Sequence, residues 1–159
     1  MLMAVPLEHQ PSTSLRRLPA LPEIAGMGTS SVLGADIMEV AQVARSIAAF
    51  GRRYLRRVFT DRELAYCTAH GRDPAPHLAA RFAAKEATCK VLRVADAPID
   101  WRSIEVVRHE DGACALVLHH GTLALARRRG VRAFQVSLSH DGAYAMAVVL
   151  GDERRPRRR

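Results

Sequence analysis

Lysine is nearly absent from this 159-residue chain: only Lys85 and Lys90, among 24 basic residues, are not arginine. Arginine carries a broad planar fork, whereas lysine is a compact charge on a thin stem. A chain that otherwise uses arginine but keeps two neighbouring lysines suggests positions where a guanidinium would not fit. Glu86 lies between the two lysines, and Arg81 precedes them by one turn. The run over residues 81–90 therefore indicates a binding site for a phosphate and its metal ion.

Aromatic residues are also scarce, at 5% of the chain, with one tryptophan, three tyrosines and four phenylalanines. A nucleic-acid-binding module usually shows an RRM, KH or helix-turn-helix signature or a stacking surface, and none stands out here. The net charge of +8 and the pI near 10.4 still indicate an acidic partner. That partner could be nucleic acid, a phosphorylated small molecule or an acidic protein, so a basic nucleic-acid-binding module stays open as the disfavoured alternative.

Long apolar runs and paired cysteines are missing as well. No apolar run approaches the roughly 20 residues of a membrane helix, so we expect no membrane span. Residues 1–31 hold four prolines but no apolar central segment, so we expect no secretion signal. The three cysteines are odd in number and form no CxxC pair, which predicts reduced thiols and a cytoplasmic protein.

The sequence predicts one small domain between two extensions. Residues 1–30 are rich in proline, serine and glycine without a clear period, which predicts a flexible extension. Residues 152–159 are crowded with arginine, which is typical of a solvated basic tail. The domain is therefore expected over residues 31–151.

Hydrophobic periodicity predicts an α+β fold within that domain, in the order β-α-α-α-β-β-α-β-β. The antiparallel sheet is expected to pack on a long, alanine-rich helix. A capping box at Thr60 and Glu63 begins the second helix. The predicted strands are 32–37, 101–108, 115–119, 131–139 and 143–150, and the predicted helices are 39–50, 61–70, 77–92 and 121–129.

The long helix carries polar groups on two separate stripes, although a surface helix normally shows one polar face. One stripe contains Glu86 and Lys90, and the other contains Arg81 and Lys85. Glu86 and Lys90 could be an ordinary surface ion pair at i,i+4. A half-buried carboxylate beside a lysine would instead need compensation, which Mg²⁺ and a phosphate could supply.

Two further segments offer partners for that helix. Asp36 leaves an apolar strand, where it could be a second Mg²⁺ ligand with Glu86, a helix N-cap, or both. His140 ends a strand that alternates apolar residues with Ser137 and Ser139. Alone, this Ser-x-Ser-His pattern is weak, and the chain has no Gly-x-Ser-x-Gly elbow, P-loop or GxGxxG.

Together these pieces resemble the 4′-phosphopantetheinyl transferases of the holo-acyl-carrier-protein synthase type. The matching segments keep the family's order and spacing over residues 31–150. They are Leu33-Gly34-Ala35-Asp36-Ile37, Arg57-Val58-Phe59-Thr60 with Glu63, Leu78-Ala79-Ala80-Arg81-Phe82-Ala83-Ala84-Lys85-Glu86-Ala87 with Lys90, Ile104-Glu105-Val106, and Val136-Ser137-Leu138-Ser139-His140-Asp141.

The resemblance implies transfer of the phosphopantetheine arm of coenzyme A to a serine of an acidic carrier protein, with release of 3′,5′-ADP. Asp36 and Glu86 would hold Mg²⁺ against the coenzyme A diphosphate, and Lys90 would steady the phosphate under attack. Arg81 and His140 would hold other parts of the nucleotide, including its 3′-phosphate. Glu86 could act as general base directly or through a metal-bound water. The resemblance also implies a homotrimer with each site between two subunits, in fatty-acid or polyketide synthesis.

Some positions depart from the family pattern. Gln42 stands where many members carry a basic residue that meets the carrier protein, and residues 94–96 replace a glycine-rich loop after the long helix. Cys89 and Cys114 stand where serine and proline are frequent. These departures leave open a catalytically silent relative that acts as an interaction subunit, although the intact Asp36, Glu86 and Lys90 argue against it.

A stripe of arginines could offset the loss at position 42. If the first helix continues through Gly51, then Arg45, Arg52 and Arg56 share one face at i, i+7 and i+11. The stripe could be an ordinary solvated face, or it could receive an acidic helix of the carrier protein.

Overall fold

The computed structural model describes residues 29–69, 73–94 and 98–154. The order of elements agrees with the sequence-based prediction. The elements are β1 (Thr29–Glu39), α1 (Val40–Val58), α2 (Asp61–Thr68), α3 (Ala75–Val91), a 3₁₀ turn (Trp101–Ser103), β2 (Ile104–Arg108), β3 (Cys114–Leu118), α4 (His120–Arg128), β4 (Val131–Asp141) and β5 (Tyr144–Arg154). No helix in the described ranges is long and apolar enough to cross a membrane.

The strands form two antiparallel sheets, which confirms the α+β class. A three-stranded sheet has the order β1-β5-β4, and β2 pairs with β3 in a separate hairpin. The turn between β4 and β5 contains Gly142 at φ +53°, a left-handed conformation that costs glycine little. Residues 101–103, predicted as the start of a strand, form the 3₁₀ turn instead, because the Asp100 carboxylate accepts from the Arg102 backbone N–H.

Helix α3 lies at the centre of the fold, against the inner face of the three-stranded sheet. Its small residues allow this close approach: Ala79, Ala83, Ala84 and Ala87 are fully buried. A methyl group at Gly34 of β1 would overlap the backbone carbonyl of Ala87. The alanine-rich composition therefore reflects a helix packed on nearly every side.

A buried ion pair fixes α3 to the rest of the domain. Lys85 Nζ donates to Glu63 Oε2 at 2.9 Å, and neither side chain is exposed. The same amine donates to the backbone carbonyl of Trp101 at 2.9 Å and to that of Ile104. Burial lowers the pKa of Lys85, and the Glu63 carboxylate opposes that shift. Lys85 is thus enclosed in the core, so its grouping with the phosphate-binding residues was wrong.

Glu63 connects this lysine to two further elements. The capping box is confirmed, since the Thr60 hydroxyl accepts from the Glu63 N–H and the Glu63 carboxylate accepts from the Thr60 N–H. Glu63 Oε1 also accepts from the Val106 N–H at 3.1 Å. One carboxylate therefore satisfies the start of α2, the middle of β2 and the lysine of α3.

Helix α1 is kinked at Gly51. That residue has φ +53° and ψ −134°, which are not helical values, so the segments on either side lose their common phase. The condition for a single stripe of Arg45, Arg52 and Arg56 is therefore not met. All three side chains are nevertheless exposed, and Arg45 pairs with Glu39 at 3.3 Å.

The domain boundaries differ slightly from those expected. Strand β1 begins at Thr29, two residues before the expected start, and pairs with the last residues of β5. Asp152 and Glu153, assigned to the basic tail, belong to β5. The predicted N-terminal extension up to residue 28, the tail from residue 155, the end of the α2 prediction at His70, and most of the 94–96 departure lie outside the described residues.

Replacement of Lys85 by methionine is expected to destabilise the fold strongly. The variant leaves the Glu63 carboxylate buried without its cation, a change that typically costs about 3–5 kcal/mol. Urea denaturation of the wild type and variant, followed by circular dichroism, measures the difference in the free energy of unfolding. Lys90→Met is the matched control, because that lysine is half exposed and its loss should cost less than about 1 kcal/mol. Equal effects of the two substitutions would contradict the assigned role of Lys85.

Candidate active site

The first group of predicted site residues meets where β1 passes α3. Asp36 lies on the inner face of β1, two residues after Gly34, where the strand is closest to the helix. Lys90 Nζ donates to Asp36 Oδ1 at 2.9 Å and to the Ala35 carbonyl at 2.6 Å. The lysine thus pairs with Asp36 rather than with Glu86, so the simple i,i+4 pair is not formed.

Asp36 does not cap a helix. Helix α1 begins at Val40, its N-cap residue is Glu39, and no side chain satisfies the first turn there. The N-cap alternative for Asp36 is therefore wrong, and its carboxylate is left to Lys90.

Glu86 lies close enough to Asp36 for their charges to interact. Burial raises the pKa of Glu86, the negative charge of Asp36 raises it further, and Lys90 partly opposes both. Glu86 is half-buried, and no hydrogen bond or ion pair holds its carboxylate within the described residues. Two carboxylates thus share one lysine, so this cluster carries an excess negative charge.

The donor set of this cluster fits a hard divalent cation. Mg²⁺ usually takes only one or two protein carboxylates, and phosphate oxygens and waters complete its shell. Within residues 29–69, 73–94 and 98–154, no group of three or more His, Cys, Asp or Glu side chains could enclose a metal ion. Asp36 and Glu86 therefore suit an ion that arrives with a phosphorylated ligand rather than one held in a closed protein cage.

The second group of predicted site residues lines a separate cavity of about 480 Å³ near the start of α3. Arg81 and His140, both predicted to bind the nucleotide, lie in its wall. The other lining residues are Tyr66, His77, Ala80, Arg108, Gly112, Ala113, Cys114, Val136, Ser137, Leu138 and Ser139. No carboxylate is among these residues, so the cavity favours an anion.

Arg81 is the most unusual group of this cavity. Its side chain is 3% exposed, and its guanidinium lies over the Tyr66 ring at 4.4 Å. Nη1 donates to the His77 carbonyl at 3.2 Å, whereas the buried Nε has no acceptor among the residues that the structure describes. A buried donor without an acceptor is costly, and a bound anion would satisfy it.

Aromatic rings complete the wall, and sequence reasoning missed most of them. The His77 and His140 rings meet edge to face with centroids 4.9 Å apart, and Tyr66 contacts His77 at 6.2 Å. Tyr66 comes from α2, His77 from the first turn of α3, and Arg108 from the end of β2. Only the fold brings these distant positions together, and no local pattern marked them.

The two groups lie on opposite edges of the sheet. Asp36 of β1 aligns with Ala147 of β5, which aligns with Leu138 of β4, so two strand spacings of about 10 Å in total separate the outer strands. Helix α3 covers the inner face between them. A single chain therefore presents an acidic half-site beside β1 and a basic half-site beside β4.

The two thiols buried beside these half-sites have the properties of core residues. Burial raises the pKa of Cys67 to about 11 and that of Cys89 to about 12. Cys114, in the wall of the basic half-site, is only partly buried. The departures at positions 89 and 114 thus place a thiol near each half-site without adding a charge.

Comparison with known proteins identifies the family. Residues 32–149 match the family model described as the 4′-phosphopantetheinyl transferase superfamily. The holo-[acyl-carrier-protein] synthase of Moorella thermoacetica is 47% identical over 117 residues, covering 74% of this chain and 90% of that protein. The holo-[acyl-carrier-protein] synthase of Leptospira biflexa is 40% identical over 119 residues, covering 74% of this chain and 93% of that protein.

Comparison with solved structures indicates the same family. The ACPS–CoA complex of Chronobacterium ammoniagenes superposes with a TM-score of 0.69 at 29% identity, covering 79% of this chain and 99% of that one. The Helicobacter pylori holo-[acyl-carrier-protein] synthase in complex with coenzyme A gives a TM-score of 0.66 at 25% identity, covering 76% and 99%. The match of the family model over residues 32–149 and the 47% identity to a curated relative show that the chain belongs to the 4′-phosphopantetheinyl transferase superfamily.

Proposed function

We propose that this protein transfers the 4′-phosphopantetheine group of coenzyme A to a serine of an apo acyl carrier protein and releases 3′,5′-ADP, with Mg²⁺ as its metal. The observation that carries the proposal is the cluster of Asp36, Glu86 and Lys90, which combines excess carboxylate charge with a half-exposed ammonium group. Relatives named holo-[acyl-carrier-protein] synthase, and related structures with coenzyme A bound, support the same reaction.

The residues of the acidic half-site would position the diphosphate of coenzyme A. Asp36 and Glu86 would hold Mg²⁺, which when bound neutralises charge on the diphosphate. Lys90 is half exposed, so its ammonium can leave Asp36 and contact the phosphate that the serine attacks. Phosphoryl transfer depends mainly on in-line positioning and charge stabilisation, and these groups supply both.

We assign the role of general base to Glu86. Its raised pKa brings its proton affinity closer to that required to accept the serine proton near neutral pH. Its carboxylate is not held by another protein group in the described structure, so it would be available to accept the serine proton. The proton would leave the serine as its oxygen bonds to the β-phosphate of coenzyme A and 3′,5′-ADP departs.

The basic half-site would hold the nucleotide end of coenzyme A. Arg81 and His140 lie in one cavity, where the unsatisfied Nε of Arg81 offers a buried donor to a phosphate oxygen. No carboxylate is among the described residues that line the cavity, so none of these side chains would repel an anion that enters it.

We further infer that the protein assembles as a homotrimer in which each active site combines half-sites from two chains. The outer face of the three-stranded sheet exposes large apolar side chains: Leu33 (64%), Ile37 (63%), Tyr144 (56%) and Met146 (46%). Exposed apolar patches of this kind usually mark protein contacts. Contact through this face would bring the β1 edge of one chain near the β4 edge of the next.

The free cysteines are consistent with a reducing cytoplasm, where we place the reaction. The carrier protein would belong to fatty-acid or polyketide synthesis, and the acidic surface of such a partner suits the arginine-rich α1.

The chemistry is tested by intact mass of an apo carrier protein incubated with coenzyme A and Mg²⁺. The wild type is expected to add the phosphopantetheine mass, and a chelator is expected to abolish the addition. Glu86→Gln and Asp36→Asn should each lower the rate by about 10²–10³-fold, since each removes a charge that acts in the transition state. Arg132→Gln, an exposed change outside both half-sites, is the control. Undiminished transfer by either acidic variant would refute its role.

The shared site is tested by mixing two inactive variants. Asp36→Asn chains keep the basic half-site, and His140→Ala chains keep the acidic one. If sites form between chains, an equimolar mixture reassembled at random should regain about one quarter of wild-type activity, because that fraction of sites has both halves intact. Sedimentation should give a mass three times that of the 17.5 kDa chain. A mixture no more active than its components would show that each site lies within one chain.

Carrier docking on α1 is tested by replacing Arg45, Arg52 and Arg56 together with alanine. The exposed charges on the two segments of the kinked helix would attract an acidic carrier mainly during encounter. The KM for the carrier should therefore rise about tenfold and become less sensitive to salt, while the KM for coenzyme A is unchanged.

The matched control is a second triple-alanine variant on the exposed end of α4, at Arg127, Arg128 and Arg129. It removes the same charge from the chain at a different surface. Equal increases of the carrier KM in both variants would mean that net charge, and not the α1 surface, attracts the carrier.

A further inference from the structure

A groove between α4 and the strands β3 and β4 belongs to neither half-site. It encloses about 520 Å³, and none of its lining residues lines the cavity of the basic half-site or belongs to the acidic cluster. Its wall is mainly apolar, and an open apolar surface of this kind usually marks a contact with another segment or protein. Four of the apolar side chains in the wall are only partly buried: Leu116, Leu118, Leu123 and Phe134.

Two arginines limit what can occupy this groove. Arg127 and Arg132 line it beside the apolar side chains, both are exposed, and no carboxylate is among its described lining residues. The groove therefore favours an apolar occupant that carries negative charge. The end of the chain after β5 does not meet that requirement, because four of residues 155–159 are arginine. A second copy that met the groove with its own groove would bring like charges together.

The residues before β1 contain a segment with the required chemistry. Residues 18–24 read Leu-Pro-Ala-Leu-Pro-Glu-Ile, and Glu23 is their only charged residue. Apolar side chains recur at every third position, at Leu18, Leu21 and Ile24, and three residues per turn is the period of the polyproline II helix. A proline follows each leucine and restricts it to extended or polyproline II backbone. The pattern therefore predicts a stiff strand with one apolar edge.

The start of β1 lies at the same end of the sheet as the groove. Thr29 of β1 pairs with Arg154 of β5, and Val131 of β4 pairs with Glu153, so two strand spacings of about 10 Å in total separate Thr29 from the groove wall. The chain from Ile24 to Thr29 can extend about 17 Å, which is enough to cross the end of the sheet. Two residues of this connection are glycine, which permits the turn.

We propose that residues 18–24 pack as a polyproline II strand into this groove of the same chain. Leu18, Leu21 and Ile24 face the apolar wall, and Glu23 faces the two arginines. For these seven residues the proposal replaces the expected flexible extension. The segment precedes the residues that match the family model, so the family resemblance does not account for it.

Two properties allow so short a segment to stay bound. The prolines restrict the free segment to backbone conformations close to the bound one, which reduces the entropy lost on docking. The segment is also joined to β1, so docking is intramolecular and takes place at a high effective concentration. Docking covers the apolar wall and holds α4 against β4, away from both half-sites.

Disulfide trapping in the full-length chain tests the contact. Leu18→Cys, Leu21→Cys or Ile24→Cys is combined with Leu123→Cys in α4 and with Cys114→Ser, which removes the partly buried native thiol of β3. A mild oxidant is expected to form a disulfide within one chain in at least one of the three variants. Intact mass should show the loss of two hydrogens, and a non-reducing gel should show a single 17.5 kDa chain. No disulfide in any variant, or only disulfides between two chains, would overturn the proposal.

The matched control is Ala20→Cys with the same two changes in α4 and β3. A thiol one position before Leu21 in a polyproline II strand points about 120° away from the leucine side chain. Its disulfide should form about tenfold more slowly than that of the fastest of the three variants. Equal rates would mean that the segment meets the groove only by random collision, which contradicts a docked strand.

Hydrogen exchange measures the same contact without added cysteines. Leu18→Ser, Leu21→Ser and Ile24→Ser together should raise the exchange rates of the α4 amides about tenfold, because the helix loses packing on its groove side. Unchanged rates, or an equal increase in the control, would reject the docked strand. The control removes three apolar side chains nearer the start of the chain: Leu2→Ser, Val5→Ser and Leu7→Ser.

Discussion

The buried contact between Lys85 and Glu63 determines where α3 points its functional side chains. A helix turns by 100° per residue, so fixing Lys85 inside the core also fixes the direction of its neighbours. Glu86, the next residue, is directed toward β1 and Asp36. Arg81, one turn earlier on the side of Lys85, is directed toward α2 and the cavity beside β4. The buried ammonium group of Lys85 thus fixes the helix so that Glu86 and Arg81 point toward opposite edges of the sheet, where the acidic and basic half-sites lie.

The geometry of the acidic half-site also depends on the close packing of small residues between β1 and α3. Gly34 allows β1 to approach the backbone of α3 at Ala87, and this approach brings Asp36 within hydrogen-bond distance of Lys90. The same packing leaves little room for water around the half-buried Glu86, which is why its pKa is raised. The chemical character of the site therefore follows from the packing of the helix against the sheet.

Local patterns in the sequence predicted what local forces determine. The capping box at Thr60 and Glu63 and the order of the elements were both predicted from the sequence, because interactions between neighbouring residues determine them. The pairing of Lys85 with Glu63 was not, because the partners are 22 positions apart and either could have been exposed. The first helix was predicted to end at residue 50, and its continuation through Gly51 was left as a condition. A single glycine is compatible with an end, a kink or a continuous helix until tertiary packing decides.

The proposed reaction depends most on Asp36 and Glu86, which we propose hold one divalent ion against the diphosphate of coenzyme A. Titration with Mn²⁺ in place of Mg²⁺, followed by electron paramagnetic resonance in the presence of coenzyme A, measures that ion directly. The account predicts one bound ion per chain in the wild type and a large loss of affinity in Asp36→Asn and in Glu86→Gln alike. Unchanged Mn²⁺ affinity in either variant would contradict it.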